Sequence, residues 1–226
     1  MYTVQKNITR LHNLHSTYFL DSKELRDVCG KLKKGEYQIY SPYKDSEKRI
    51  LYTGDIPEVL LYEIKCNTSI RHQDILGSLF SLNIDSGLFG DILIINNHYY
   101  VYLLPMIRNY FEANFTNVRN SSVEVLEIPL SFLENYERSY DSLELIVSSN
   151  RIDTVISSIC HCNRGEINHM ISKKDIILNY DILKNSSYKL KDGDIFSIRR
   201  VGKFCFKEIS RYTKKNHIII TVLKYK

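Results

Sequence analysis

Val59-Leu60-Leu61-Tyr62-Glu63-Ile64-Lys65 opens the stretch that decides the fold. Its aliphatic and aromatic run, too short for a helix of its own, reads as a strand. Ser69 is placed to cap a helix through Asn83, with Ile75, Leu76, Leu79, Phe80 and Leu82 on its apolar side. Residues 91–96 and 99–104 read as strands joined by a tight turn at Asn96-Asn97-His98. Residues 106–115 read as a helix and 122–128 as a last strand. Strand, helix, strand, strand, helix, strand is the split βαβ order of ferredoxin-like and RRM-like domains.

Outward from this stretch, the opening segment is helical in character, with an N-cap at Asp21-Ser22 and Gly30 or Gly35 as a stop. Short strands are expected at 36–40 and 48–52, around the turn-rich Ser41-Pro42-Tyr43-Lys44-Asp45-Ser46. Residues 130–140 form a helical connector, and 143–148 a strand. Helices at 151–160 and 164–172 follow, then strands at 175–179, 194–199, 203–209 and 217–223. Lys191-Asp192-Gly193-Asp194 is the clearest turn. The expectation is an α+β chain in three parts: an N-terminal α/β segment over residues 1–57, a central RRM-like domain with its connector over 58–140, and a C-terminal domain over 141–226.

At 226 residues, with 43% hydrophobic and 25% charged side chains, the composition is that of a globular chain and excludes wholesale disorder. No run approaches the roughly 18 apolar residues of a membrane helix. Met1-Tyr2-Thr3-Val4-Gln5-Lys6-Asn7 lacks the apolar run of a signal peptide. Five cysteines at irregular spacing do not make a disulfide framework. A reduced, cytoplasmic setting is expected.

The net charge of +5 is unevenly spread. Residues 1–140 carry 15 Lys and Arg against 17 Asp and Glu, whereas residues 141–226 carry 16 against 9. From Arg199 onward, nine basic residues, including Lys214, Lys215 and Lys226, face one acid, Glu208. A basic domain of this kind suits a polyanion; a solvated lysine-rich face is the plain alternative.

Within the basic part, Arg151-Ile152-Asp153 opens one helix and Asn163-Arg164 the next. Asp175-Ile176-Ile177-Leu178-Asn179 and Leu190-Lys191-Asp192-Gly193-Asp194-Ile195 follow. This pattern resembles the S4 (αL) RNA-binding domain. Arginines at two neighbouring helix starts place two guanidinium groups on one edge, beside N–H groups that favour phosphate. Arg151, Asn163 and Arg164 are the first RNA-binding candidates; Lys173, Lys174, Asn179, Arg199, Arg200 and Lys203 form a second rank. Arg151 pairing with Asp153 or Glu166 is the alternative.

The resemblance extends to most of the chain. Phe19-Leu20-Asp21, Tyr43-Lys44-Asp45-Ser46-Glu47-Lys48-Arg49, Ile70-Arg71-His72-Gln73-Asp74-Ile75-Leu76-Gly77-Ser78-Leu79, Gly90-Asp91-Ile92-Leu93 and Val201-Gly202-Lys203-Phe204 together resemble the YlmH family. That resemblance implies a non-enzymatic bacterial factor with an RRM-like domain and an S4 domain, bound to the large ribosomal subunit in quality control of stalled ribosomes. It implies rRNA as partner, with peptidyl-tRNA as a further one, and it also carries an older link to cell division. Two departures stand out. The family has Ser-Arg-Ser-Lys where this chain has Asn163-Arg164-Gly165-Glu166, and Lys174 occupies the place of a family glycine.

Other chemistry finds little support. Cys160-His161-Cys162 lacks the second ligand pair of a closed zinc site. No Walker A loop, Rossmann glycine turn or Gly-x-Ser-x-Gly elbow occurs. Tyr62, Tyr99, Tyr100 and Tyr102 lie on strands that stack bases in RNA-binding relatives of this fold, but without an RNP motif they read as core. The expectation is an RNA-binding monomer with no cofactor, no metal, no small-molecule substrate and no membrane contact. A protein-interaction adaptor in cell division is the rival, and an accessory of an RNA-modifying enzyme the more distant one.

Overall fold

The computed structural model describes residues 3–33, 35–213 and 217–225. Met1, Tyr2, Lys214, Lys215 and Lys226, counted above, lie outside the described residues. The chain is a mixed α/β protein that divides into two compact units, residues 1–137 and 138–226.

The N-terminal unit begins with α1 (Val4–Leu14) and α2 (Ser22–Cys29). Asp21 caps α2 as expected: its side chain accepts from the Lys23 and Glu24 amides at 2.8 Å, while Glu24 reaches back to the Asp21 amide. The pair β1 (Gln38–Tyr40) and β2 (Ile50–Tyr52) comes next. Then follow β3 (Leu60–Cys66), α3 (His72–Ser81), β4 (Phe89–Ile95), β5 (His98–Leu103), α4 (Arg108–Asn114), β6 (Asn117–Val118) and β7 (Ser121–Ile128). The strands form an antiparallel sheet in the order β4-β5-β3-β7-β6. Asn96 and Asn97 have φ of 50° and 63°, the left-handed pair a two-residue hairpin turn requires and Asn tolerates.

Both faces of this sheet are covered. Ile75, Leu79, Phe111 and Phe115 of the α3 and α4 region pack on Tyr62, Ile64, Tyr99 and Val101. On the opposite face Tyr18, Phe19, Tyr43 and Ile50 pack on Leu61, Leu93, Tyr100 and Tyr102. The four strand tyrosines are therefore core, as expected, and all are buried. Two local expectations need correction. The N-cap of α3 is Arg71 rather than Ser69, because Asp74 binds the Arg71 amide at 3.0 Å. The connector holds only a short 3-10 turn at Leu130–Phe132.

The C-terminal unit runs β8 (Tyr140–Val147), α5 (Ile152–Cys160), α6 (Arg164–Ser172), β9 (Ile176–Leu178), β10 (Asp181–Ile182), β11 (Ile195–Ile198), β12 (Gly202–Tyr212) and β13 (Ile218–Tyr225). Its sheet order is β10-β9-β11-β12-β13-β8, antiparallel throughout. Ile152, Val155, Ile156 and Ile167 of the two helices bury against Ile176, Phe196, Phe204, Ile220 and Val222 on one face. Cys160-His161-Cys162 closes α5: His161 takes a left-handed φ of 52° and the Cys162 amide bonds back to Ser157. Among the described residues no group of three or more His, Cys, Asp or Glu is arranged to hold a metal.

Candidate nucleic-acid interface

Arg151 and Arg164 come together. Both line one cavity of about 390 Å³, with Ser149, Asp153, Thr154 and Ser157. The tertiary reason is simple: α5 and α6 are joined by a tight turn, and their starts are held side by side over the sheet core.

The two arginines differ in state. Arg151 forks onto Asp153, Nε to Oδ1 at 3.0 Å and an Nη to Oδ2 at 2.5 Å. Asp153 is nearly enclosed, with 6% of its side chain exposed, and it also accepts from the Thr154 amide at 2.8 Å. Burial pushes the Asp153 carboxyl up, yet the Arg151 hydrogen bonds win and hold it below its usual range. The alternative of an Arg151–Asp153 pair is thus realised, inside the cavity that Arg164 also lines. Arg164 is exposed and has no carboxylate partner among the described residues.

The expected free N–H groups at the start of α5 are not free. The Ile152 and Asp153 amides donate to the Tyr188 and Ser186 carbonyls at 2.8 and 3.3 Å, and the Thr154 amide to Asp153. A strap running from Asn185 to Leu190 crosses the helix start and uses these donors before a ligand can. Asn163 works as the helix cap: its side chain accepts from the Glu166 amide at 3.1 Å, and Glu166 returns to the Asn163 amide at 2.7 Å. Glu166 is thereby explained as half of a capping box.

The second-rank residues separate into groups. Lys173 and Lys174 end α6, roughly 13 Å along the helix from Arg164. Arg199 donates to the Asp175 carboxylate at 3.2 Å, which brings it to the chain segment just after Lys173 and Lys174. Lys174 has φ 60°, which is why a glycine suits that place. Asn179 is engaged in the framework, donating to Asp194 at 2.8 Å and accepting from the Ile195 amide at 2.9 Å. Lys203 follows the strand alternation opposite to the buried Phe204, so it lies on the sheet face turned away from α5 and α6. There its ammonium sits 5.3 Å from the Tyr180 ring centroid and 5.0 Å from that of Tyr225. An RNA-binding reading expects Arg151, Arg164 and the basic residues of 173–203 on one exposed face, which a protein-interaction adaptor does not require. Here they fall into three patches, and only Arg151 and Arg164 meet that expectation.

Several motif residues outside this unit prove to be framework. Gly90 sits so close to Phe19 and Tyr102 that a Cβ would lie 2.9 Å from each. Beside it Asp91 is buried and receives the Tyr43 hydroxyl at 2.5 Å and the Glu47 and Lys48 amides at 2.8 and 3.2 Å. Lys48 donates to the Ser86 and Phe89 carbonyls, and burial pushes its ammonium down to about 8 despite Asp91 nearby. These contacts fasten the N-terminal segment to the sheet.

Comparison with known proteins agrees with the motif reading. Residues 58–132 match the family model described as "Putative RNA-binding domain in YlmH". The Bacillus subtilis (strain 168) "Ribosome-associated protein quality control protein P2" is 25% identical over 158 residues, covering 70% of this chain and 62% of that relative. The match thus spans a little over three-fifths of the relative's length. The solved structure of "Cell division protein ylmH from Streptococcus pneumoniae" aligns at a TM-score of 0.46 and 20% identity, over 58% of this chain and 90% of that one. The YlmH likeness expected from the quoted motifs is borne out by the family model and the curated relative. Both names describe RNA-binding or ribosome-associated proteins, and neither is that of an enzyme. No helix among the described residues is long and apolar enough to cross a membrane.

Proposed function

We propose that this YlmH-like chain is a cytoplasmic, non-enzymatic, monomeric RNA-binding protein. It holds rRNA of the large ribosomal subunit, with peptidyl-tRNA as a second ligand, during rescue of stalled ribosomes. Residues 141–226 act as an S4 domain, residues 58–140 as an RRM-like domain with its connector, and residues 1–57 as a segment that covers one face of that domain. The strand order β4-β5-β3-β7 and the antiparallel pairing support the split βαβ reading. The observation that carries the function is the cavity where Arg151 and Arg164 meet at two helix starts. Within it Arg164 supplies an unneutralised guanidinium, and Asp153 fixes the aim of Arg151. Such groups bind phosphate oxygens and do no bond making.

The test is co-sedimentation with large ribosomal subunits. Arg151→Ala combined with Arg164→Ala abolishes it while the circular dichroism spectrum is unchanged, and nuclease treatment of the wild-type complex releases the protein. Undiminished sedimentation of the double variant refutes the assigned role of this edge.

A further inference from the structure

The face of the RRM-like sheet on which bases would stack is closed by Tyr18, Phe19 and Tyr43, so any RNA contact made by residues 58–132 must lie elsewhere. Two residues there fit their local structure poorly. Gly77 lies in the middle of α3, where glycine costs about 1 kcal/mol relative to alanine. Nothing stands within 4 Å of the place its Cβ would occupy, so no packing inside the chain calls for a glycine. Arg119, in the turn between β6 and β7, has φ 56°, a conformation that Gly or Asn adopts more cheaply.

Both line the same groove of about 550 Å³, together with Gln73, Ser81, Asn114 and Asn117. Asp74 joins its wall and holds two arginines. Arg71 reaches it by a fork at 3.2 and 3.1 Å, and Arg119 by an Nη at 3.7 Å. The carboxylate is 9% exposed, whereas the Arg71 and Arg119 side chains are 70% and 63% exposed. Asp74 is therefore a largely covered post that aims two guanidinium groups outward, while Ser81, Asn114 and Asn117 of the groove use donors within the chain, on the Ser78 and Tyr110 carbonyls and the Thr116 hydroxyl. Among the described residues no aromatic ring lines the groove itself; exposed Tyr110 lies at its edge, donating its hydroxyl to the Leu82 carbonyl at 3.1 Å.

We propose that this groove seats the sugar–phosphate backbone of an RNA strand, with Arg71 and Arg119 as phosphate contacts and Gly77 as the point of closest approach to the α3 backbone. This deepens the RNA-binding reading given above and rests on it. Contact is to phosphate and ribose, so it is independent of base sequence. Local misfits that serve no packing need are where a fold gives up stability for function.

The test uses the full chain and a fluorescein-labelled single-stranded oligouridylate, followed by anisotropy across a salt series. Gly77→Leu and Arg119→Gly each relieve a local misfit, so melting temperatures equal or exceed that of the wild type. Each nonetheless weakens binding by roughly fivefold or more, and Arg119→Gly lowers the salt slope by about 0.7, the value for one phosphate contact on a single strand. Undiminished affinity in both variants at wild-type stability overturns the proposal, even if ribosome co-sedimentation falls, which assigns the groove to a protein ligand. Arg151→Ala/Arg164→Ala is measured alongside. Loss of binding there with none in the groove variants leaves the S4 edge standing and removes the groove; the reverse pattern removes the S4 edge alone.

Discussion

Arg151 and Arg164 line one cavity but are not interchangeable, and single substitutions separate them. Arg164 is exposed and carries a full charge to a phosphate. Its replacement by alanine should lower the slope of log K against log salt by about 0.9 on a duplex target, since one counterion release is lost. Stability should stay within about 0.5 kcal/mol, as for other surface substitutions. Arg151 already has its charge offset by Asp153 at 2.5 and 3.0 Å. Arg151 is shared with that carboxylate, so Arg151→Ala lowers the slope by less than Arg164→Ala does at the proposed site. The cost appears in the fold instead, because Asp153, 6% exposed, loses its charged donor. An enclosed carboxylate left with fewer partners costs roughly 1–3 kcal/mol, which in a unit of this size lowers the melting temperature by about 4–8 °C per kcal/mol. Asp153→Asn added to Arg151→Ala should recover most of that loss, because the stranded charge is gone. Filter binding of an rRNA fragment over a salt series and differential scanning calorimetry supply the two readouts. Equal slope losses from the two single variants, with Arg151→Ala melting as the wild type does, refute the reasoning, for then Arg151 leaves Asp153 on binding.

Gly90→Ala should destabilise the N-terminal unit by roughly 1–3 kcal/mol through overpacking against Phe19 and Tyr102, seen as a lower urea midpoint at unchanged m. Lys174→Gly should stabilise the C-terminal unit by about 1 kcal/mol, because φ 60° strains lysine, and calorimetry should show the rise. Stability of the N-terminal unit should depend on pH in two phases. Folded Lys48 releases its proton near 8, its unfolded form only near 10.5, so unfolding takes up a proton between them and stability rises with pH. Above about 10, burial keeps Tyr62 and Tyr102 protonated only in the folded state, so stability falls again. Urea unfolding from pH about 7 to about 11 measures both limbs, and Lys48→Met should remove the first.

Elements with strong local periodicity were legible in the sequence. The span of α6, Arg164–Ser172, follows from Asn163 as cap and from left-handed Lys174 just past its end. The hairpin at Asn96-Asn97 follows from two residues that tolerate positive φ. What the sequence hides is mostly tertiary. Nothing local tells that residues 185–190 cross the start of α5 and bond its amides, or that a sheet face is closed by Tyr18, Phe19, Tyr43 and Ile50 from the segment upstream. By side chain alone Ser69 is a better cap than Arg71, whereas here Asp74 bonds the cap backbone from inside the helix. The basic run looked continuous in one dimension. Strand alternation sends Lys203 to the sheet face opposite Phe204, and helix length separates Arg164 from Lys173.

The motif residues themselves fall into two kinds once their contacts are known. Phe19, Tyr43, Ser46, Lys48, Gly90 and Asp91 touch one another, and each residue type is explained by its neighbours: a carboxylate by the hydroxyl and amides it accepts from, a glycine by the rings that press on it. Arg164 and Gly77 have no such internal explanation; Arg119 has an ion pair with Asp74 at 3.7 Å, yet its left-handed φ and the mid-helix Gly77 each lower the stability of the element that carries them. A chain that only needed to fold would replace Gly77 by alanine and Arg119 by glycine. That both line one groove beside exposed arginines is a physical reason for placing a ligand there, independent of any likeness to other proteins. By the same reasoning the central-strand tyrosines, fully accounted for by packing on both faces of the sheet, leave no role for a base.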